Sequence, residues 1–321
     1  MHLTVTIDTE EDNWSNYDSK PVLSNLEKIP SLQELFDRYG VKPNYLISYP
    51  VASDEKSAAI LRGIMEDGRC EIGTHLHTWN TPPFEEEKTP RNTMLSNLEE
   101  GLQFRKLEAL HSKIRENFGF EPVTFRSGRW GFDGTVARTI CRMGYKVDTS
   151  VSPYSNWEMY HGPDFSGYSP KPHEIRIDVG NGPEARIMEV PATIAFLQDD
   201  YPRCNRRMKA ISGSALSRFR LLGILDRLKL LNKVCLSPEP DTAENMIGLA
   251  ESMRRNGYKV LNLFFHSTSL KHGLNHFTKT EEEAAELMRR IERFLEYAAE
   301  AGIRPMKLSE STGLELQGGR Y

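Results

Sequence analysis

Hydrophobic and polar positions alternate at the start of the chain. Leu3, Val5 and Ile7 are interleaved with Thr4 and Thr6, the period-two pattern of a strand. From residue 22 to 39 the spacing becomes helical, with Leu26, Ile29, Leu32, Leu35 and Phe36 on one side and Gly40 as the stop. The same switch recurs down the chain. It predicts strands over 44–48, 70–74, 123–125, 145–149 and 258–265, and helices over 55–65, 91–118, 134–143, 244–256 and 281–301, with a closing strand at 304–308. Between 150 and 191 the periodicity lapses into Pro, Gly and Tyr. A hairpin of 173–179 and 185–190 is predicted there around Asn181-Gly182. Repeated strand–helix–strand units predict an α/β fold, a mainly parallel sheet with helices outside it. About seven such strands suit a distorted (β/α) barrel, although spacing alone does not separate that from an open sheet. The expectation is one barrel domain over residues 1–321, with an insertion at about 150–240 that holds the β-hairpin and a basic helical segment.

Composition narrows the classes. The chain has 41 basic and 45 acidic residues, a net charge of −4, too small a bias to imply a polyanionic partner for the whole molecule. No apolar run reaches the ~18 residues a membrane helix needs. The opening MHLTVTID reads as a strand rather than an export signal. Cys70, Cys141, Cys204 and Cys235 are far apart, without zinc or redox spacing, so free thiols in a cytoplasmic protein are expected. One local exception stands out. Between 203 and 233 lie Arg203, Arg206, Arg207, Lys209, Arg218, Arg220, Arg227, Lys229 and Lys233 against the single acid Asp226. Leu221, Leu222, Leu225, Leu228 and Leu231 give part of this stretch an apolar helical side. Such a helix lies on an anionic membrane surface, grips a phosphate-bearing substrate, or packs on the barrel with its charges solvated. Because the cations form one local patch, nucleic-acid binding is not expected.

The chemically capable residues follow predicted strands: Asp8 and Glu10 the first, His75 and His77 the third, Arg126 the fourth, Asp148 near the end of the fifth, and His266 after the apolar YKVLNLFF. Parallel α/β architectures build active sites at that end, which favours the barrel. Asp8 and Glu10 are two apart, so both face one side of an extended segment, where one can bind a metal and the other take a proton. His75 and His77 have the same spacing, and two imidazoles plus a carboxylate leave an open position on a cation. The bland alternatives are solvated loop acids and packed histidines; for Glu11 and Asp12 that reading, with helix capping, is the favoured one. An imidazole at a barrel mouth titrates near neutral pH and suits a general acid. Arg126 requires a carboxylate partner, with Asp8 the natural one.

Five segments in this order, TIDTEED, EIGTHLH, FRSGRWG, YKVDTS and LNLFFH, resemble the NodB-homology polysaccharide deacetylases, the fourth carbohydrate esterase family, from about Leu3 to Leu308. The resemblance implies a distorted (β/α) barrel that hydrolyses an N-acetyl group, with Asp8 as base, His266 as acid, Arg126 tethering the base and His75 as first metal histidine. Asp148 lies in the segment whose acid helps orient the acidic histidine. Departures are visible. The family's second Asp falls on Thr9, so Glu10 supplies the metal carboxylate; its second histidine falls on Trp79, so His77 substitutes. Its Pro-aromatic pair falls on Gly128 and Arg129, followed by Trp130. Arg129, Trp130 and Trp79 are therefore expected at the substrate, with Arg129 able to read a phosphate or carboxylate. These variations resemble a subgroup of lipopolysaccharide and surface-polysaccharide biosynthesis. The expected cofactor is one divalent metal, zinc first, with cobalt, nickel, iron or manganese as alternatives. The expected partner is an N-acetylated sugar, lipid- or nucleotide-linked, with peripheral contact to an anionic membrane through 203–233. Rival readings are a metal-independent amidase on the same scaffold and an inactive sugar-binding module.

Overall fold

The computed structural model describes residues 1–13, 20–178, 184–213 and 221–314, without the side chains of Leu221 and Leu222. The first half of the chain runs β1 (His2–Thr9), α1 (Ile29–Arg38), β2 (Asn44–Ile47), α2 (Tyr49–Ser53), α3 (Glu55–Glu66), β3 (Glu71–Leu76), α4 (Glu100–Phe118), β4 (Thr124–Ser127), α5 (Gly134–Arg142) and β5 (Val147–Asp148). It continues through β6 (His173–Ile177), β7 (Ala185–Glu189), β8 (Ile194–Phe196), α6 (Tyr201–Ser212), α7 (Leu221–Arg227) and β9 (Lys233–Cys235). The chain ends with α8 (Ala243–Arg255), β10 (Val260–His266), α9 (Glu281–Glu300) and β11 (Arg304–Pro305).

The main sheet has the order β10-β1-β2-β3-β4-β5-β7-β6, with β11 also on β1. Every pairing is parallel except the β6–β7 hairpin. The strands from β10 to β7 are thus seven in parallel, as the barrel reading requires, although the sheet's ladder does not close. The gap between β7 and β10 is spanned by other bonds. Asn262 exchanges hydrogen bonds with Thr193 (its N–H donates to Thr193 Oγ1 at 2.8 Å), and its amide donates to Thr149 Oγ1 at 2.8 Å. Leu236 N–H donates to Thr193 O and Phe264 N–H to Leu236 O, fastening β8 and β9 against β10.

The alternation in β1 has a meaning the sequence did not show. Thr4 and Thr6 are as buried as Leu3, Val5 and Ile7, because β1 lies mid-sheet with both faces covered. The threonine side looks into the barrel and is hydrogen-bonded there: Thr6 Oγ1 donates to Asn262 Oδ1 at 2.9 Å. The opposite side packs on helices. α9 shows how they dock: Ala284, Leu287, Ile291, Phe294, Leu295 and Ala298 are buried at helical spacing, and Thr280 with Glu283 forms a capping box. Truncating Ile291 to Ala would cost about 2–5 kcal/mol.

The predicted helix at 91–118 begins only at Glu100. Its first part is two 3₁₀ turns, Arg91–Thr93 and Leu95–Asn97. Side chains compete with the helical backbone there: Thr93 Oγ1 donates to Pro90 O at 2.6 Å and Asn97 Nδ2 to Arg91 O at 2.9 Å. The strand at 145–149 shortens to two residues, and that at 304–308 likewise. The turn of the predicted hairpin, 179–183, lies outside the described residues, as do Arg218 and Arg220. The stretch 150–240 contributes β6 and β7 to the main sheet and shares its hydrophobic core through Phe165, Ile187, Phe196, Tyr201 and Leu236.

Candidate active site

Strand register assembles the site. In the parallel β1–β10 pair Asp8 lies opposite His266, and in β3–β4 His75 lies opposite Arg126. Four strands therefore deliver an acid, two imidazoles and a guanidinium to one mouth at their carboxyl ends. Arg126 is fully buried and makes four hydrogen bonds. It donates to Asp8 Oδ1 and Thr6 Oγ1, each at 2.7 Å, to Thr149 O at 3.0 Å and to Thr149 Oγ1 at 3.2 Å. Burial penalises the Asp8 carboxylate, but Arg126, His75 and His266 outweigh it and hold its pKa below the ordinary value. Asp8 Oδ2, the oxygen Arg126 does not take, lies 3.8 Å from His266 Nε2.

His266 is gripped from its other side by Glu239. The His266 backbone N–H donates to Glu239 Oε1 at 3.1 Å, and the ring Nδ1 lies 3.1 and 3.0 Å from its two oxygens. Ser269 Oγ donates to the same carboxylate. Burial pulls the imidazolium's pKa down, while Glu239 and then Glu10 and Asp8 drive it up to about 10. The His266 imidazolium therefore stays charged through neutral pH.

This corrects one expectation. The acid orienting His266 is Glu239, not Asp148. Asp148 is wholly buried, accepts from Ser150 N–H at 3.0 Å and Ser150 Oγ at 2.7 Å, and lies opposite buried Glu189 in the β5–β7 register. Burial raises both carboxyls, Glu189 furthest because Asp148 adds its charge. Glu239 gave no sequence signal, since SPEPDT has neither periodicity nor metal spacing.

Beside the Asp8–His266 pair stand Glu10, His75 and His77, whose ligand atoms lie within 4.8 Å of one another. Glu10 Oε2 is 2.8 Å from His77 Nε2 and 3.6 Å from His75 Nε2. His75 Nδ1–H donates to Arg126 O at 3.2 Å, which turns Nε2 toward Glu10. That is how a metal-ligating histidine is braced by a carbonyl behind it. Glu10 Oε1 is buried and, among the described residues, has no hydrogen-bond partner. Burial and the neighbouring charge of His75 push His77 down to about 4, so its imidazole is neutral. Burial opposes a charge on His75, but Asp8 and Glu10 raise its pKa, and the same field attracts a metal cation. Two imidazoles and a carboxylate with an orphaned oxygen fit a divalent ion of the zinc type.

The wall is built from the segment after β4. Gly128 is obligatory: a Cβ there would fall 2.2 Å from His77 Nδ1. Arg129 and Trp130 then take left-handed φ values of 54° and 61°, which cost energy in non-glycine residues. Arg129 lies over the Trp79 ring at 4.9 Å, and Trp79 stacks on His77 at 4.2 Å. Trp130 sits edge-on to Phe264 and 5.4 Å from the Arg126 guanidinium. Trp79 and Arg129 thus border the cluster, while Trp130 borders Arg126. Glu11 and Asp12 are not the solvated acids expected, but the helix capping expected with them does occur at Asp12. Both are buried; Glu11 accepts from Ser48 Oγ and Asn80 Nδ2, while Asp12 caps the 3₁₀ turn Ser24–Lys28 through Ser24 and Asn25 N–H.

No family model matches the chain, and no curated protein matches it. Solved structures do. A candidate polysaccharide deacetylase from Mycobacterium smegmatis superposes with TM-score 0.56 at 16% identity, over 97% of this chain and 88% of that one. A probable polysaccharide deacetylase from Pseudomonas aeruginosa PAO1 gives 0.55 at 12% identity, over 97% and 89%. The allantoinase PuuE gives 0.53 at 12% identity, again over 97% and 89%. At such identities the likeness speaks for architecture: this chain has the α/β fold of the polysaccharide deacetylases, one that an allantoinase shares.

Proposed function

We propose that the chain is a metal-dependent hydrolase that removes the N-acetyl group of an amino sugar in a polysaccharide precursor, lipid- or nucleotide-linked. The observation that carries this reading is a base and an acid, Asp8 and His266, facing each other at 3.8 Å beside the Glu10–His75–His77 cluster. A sugar-binding module has no use for an acid–base pair held by two further buried residues. Glu10, His75 and His77 would hold the ion, which supplies Lewis acidity toward an amide carbonyl and toward water. The chain's own groups do the rest. Asp8, fixed by Arg126, takes a proton on Oδ2 from the water that attacks the amide carbon. His266, kept protonated by Glu239, gives its proton to the nitrogen as the C–N bond breaks, leaving acetate and a free amine. Trp79, Arg129 and Trp130 line the sugar's approach, and Arg129 offers a cation to a substrate phosphate or carboxylate.

The test is metal content per chain by elemental analysis, with acetate release from N-acetylated amino sugars, for wild type, His75→Ala and Asp8→Asn. Near one equivalent of metal in wild type, lost in His75→Ala, with chelator-sensitive acetate release abolished in Asp8→Asn, is the expected result. Wild type that takes up no metal after dialysis against zinc yet hydrolyses amides would replace this reading with a metal-independent amidase. Wild-type turnover in Asp8→Asn would remove Asp8 as the base.

A further inference from the structure

Far along the chain from the catalytic strands' first half, large apolar side chains crowd into solvent. Ile224 is 51% exposed, Leu228 61% and Leu230 58%, on α7 and the turn that follows it. One exposed leucine on a protein surface is ordinary; three within seven residues need an account. The helix is anchored the other way, since Leu225 packs on the core and Leu231 is buried in it. Leu228, expected from its spacing to lie with those two, points outward because the helix ends before it. Lys229 takes φ 56° and Leu230 N–H returns to Leu225 O, so Leu228 and Leu230 both emerge.

Cations of α6 and α7 are exposed as well. Arg227 and Lys229 flank the leucines, and α6, packed against α7, presents Arg203, Arg206, Arg207 and Lys209. Asp164, whose carboxyl pKa is lowered by Ser166 and then by Lys209, offsets one of these six cations, and the other nearby acids are engaged elsewhere. Asp200 caps α6, Asp199 pairs with Arg255 at 3.0 Å, and Asp226 holds Asn232.

We infer that α6 and α7 form a docking surface for an anionic lipid bilayer. Ile224, Leu228 and Leu230 enter the acyl boundary, while the six cations meet headgroup phosphates. Cations alone would suit nucleic acid, but nucleic acid offers no apolar layer for three aliphatic side chains. A second copy of the chain would bring the same positive charge. An anionic bilayer satisfies both halves at once, and among the described residues no helix is long and apolar enough to cross it. The surface is also tied to the site. From Leu230 the chain passes through β9 to Glu239, the residue that holds His266, in nine residues, at most about 32 Å of extended chain. A bound bilayer would therefore hold the mouth near sugars carried on lipid. The surface stands independently of the proposed hydrolysis, and its failure would leave that reaction standing.

The experiment is co-sedimentation of the full chain with phosphatidylcholine vesicles, with and without phosphatidylglycerol, at low and high salt. Variants are Ile224→Ser/Leu228→Ser/Leu230→Ser and Arg206→Glu/Arg207→Glu, each checked for wild-type circular dichroism and metal content. Expected are pelleting with phosphatidylglycerol vesicles only, and release by salt as the screening length falls from about 10 Å at 0.1 M to about 3 Å at 1 M. Each variant should lose partitioning by about tenfold or more. Equal pelleting on neutral vesicles, unchanged pelleting of the apolar variant, or a concentration-dependent dimer abolished by that variant would each overturn the proposal. So would displacement from the vesicles by RNA that the apolar variant binds as well as wild type.

Discussion

Replacing Glu239 with glutamine removes the charge beside His266 while keeping the side chain's length and an oxygen for the His266 and Ser269 donors. In the wild type burial works against the imidazolium, yet Glu239, helped by Glu10 and Asp8, lifts its pKa from 6.5 to about 10. That rise corresponds to about 5 kcal/mol at ~1.36 kcal/mol per unit. The His266 side chain is 31% exposed, and solvent screening discounts the share lost with Glu239 to about 2–3 kcal/mol. The sign follows from linkage. A pKa raised in the folded state stabilises fully below the unfolded value of ~6.5 and ceases to do so as pH rises through about 10. Wild type and Glu239→Gln should therefore differ most in urea unfolding near pH 6, and the titratable part of the difference should vanish above pH 10. Direct observation comes from the His266 Cε1 resonance of metal-free, histidine-labelled protein, which should titrate about two units lower in the variant than in wild type, because Glu10 and Asp8 still raise it. If loaded enzyme turns over, the alkaline limb of kcat should move down with it, because the protonated acid is lost earlier. A His266 pKa in the variant within about half a unit of wild type would refute the assignment of Glu239 as the source of that charge.

Three further outcomes are expected. Arg126→Leu leaves Asp8 as a buried carboxylate without its cation and should cost about 3–5 kcal/mol in urea unfolding. Because the Asp8 pKa is lowered, its contribution is present above pH ~3.8 and lost as pH falls, so the variant should show a flatter acid limb; a loss under about 1 kcal/mol would contradict the pairing. Gly128→Ala puts a methyl 2.2 Å from His77 Nδ1 and 2.8 Å from Leu76 O, so the protein should fold but hold much less than wild-type metal by elemental analysis. Full stoichiometry would mean that His77 is not a ligand. Lys106→Met removes a buried ammonium that donates to Thr78 O, Thr81 O and Pro83 O at 2.9, 2.8 and 2.7 Å and pairs with Glu86. A stability loss of about 3 kcal/mol and faster proteolysis across 78–88 are expected, and an unchanged digestion pattern would argue that Lys106 does not hold the loop bearing Trp79.

Much of the architecture was legible because strand and helix periods differ and because parallel strands present their last residues on one edge. Asp8 with Glu10 and His75 with His77 could be grouped from their spacing, since alternate residues of an extended segment share a face. Arg126 could be matched to Asp8 from the cost of an unpaired buried guanidinium. The errors cluster where local pattern carries no period. The 91–99 segment has helical spacing of leucines, but Asn and Thr side chains bond their own backbone and turn it into 3₁₀ turns. Asp148 stands at a strand end, where acids serve catalysis, yet its partner is Glu189 from a strand 41 residues further on.

What the chain alone determined was the alternation of strands and helices, and the acids, imidazoles and guanidinium at strand ends, because these follow from nearest-neighbour geometry. Which carboxylate meets which imidazole was decided by the fold. Glu239 reaches His266 only because β9 is fastened to β10 through Thr193 and Leu236, and Lys106 reaches three carbonyls only because α4 packs beneath their loop. Buried polar groups are satisfied by whatever partner the packed backbone brings within 3 Å, and separation along the chain does not enter that condition.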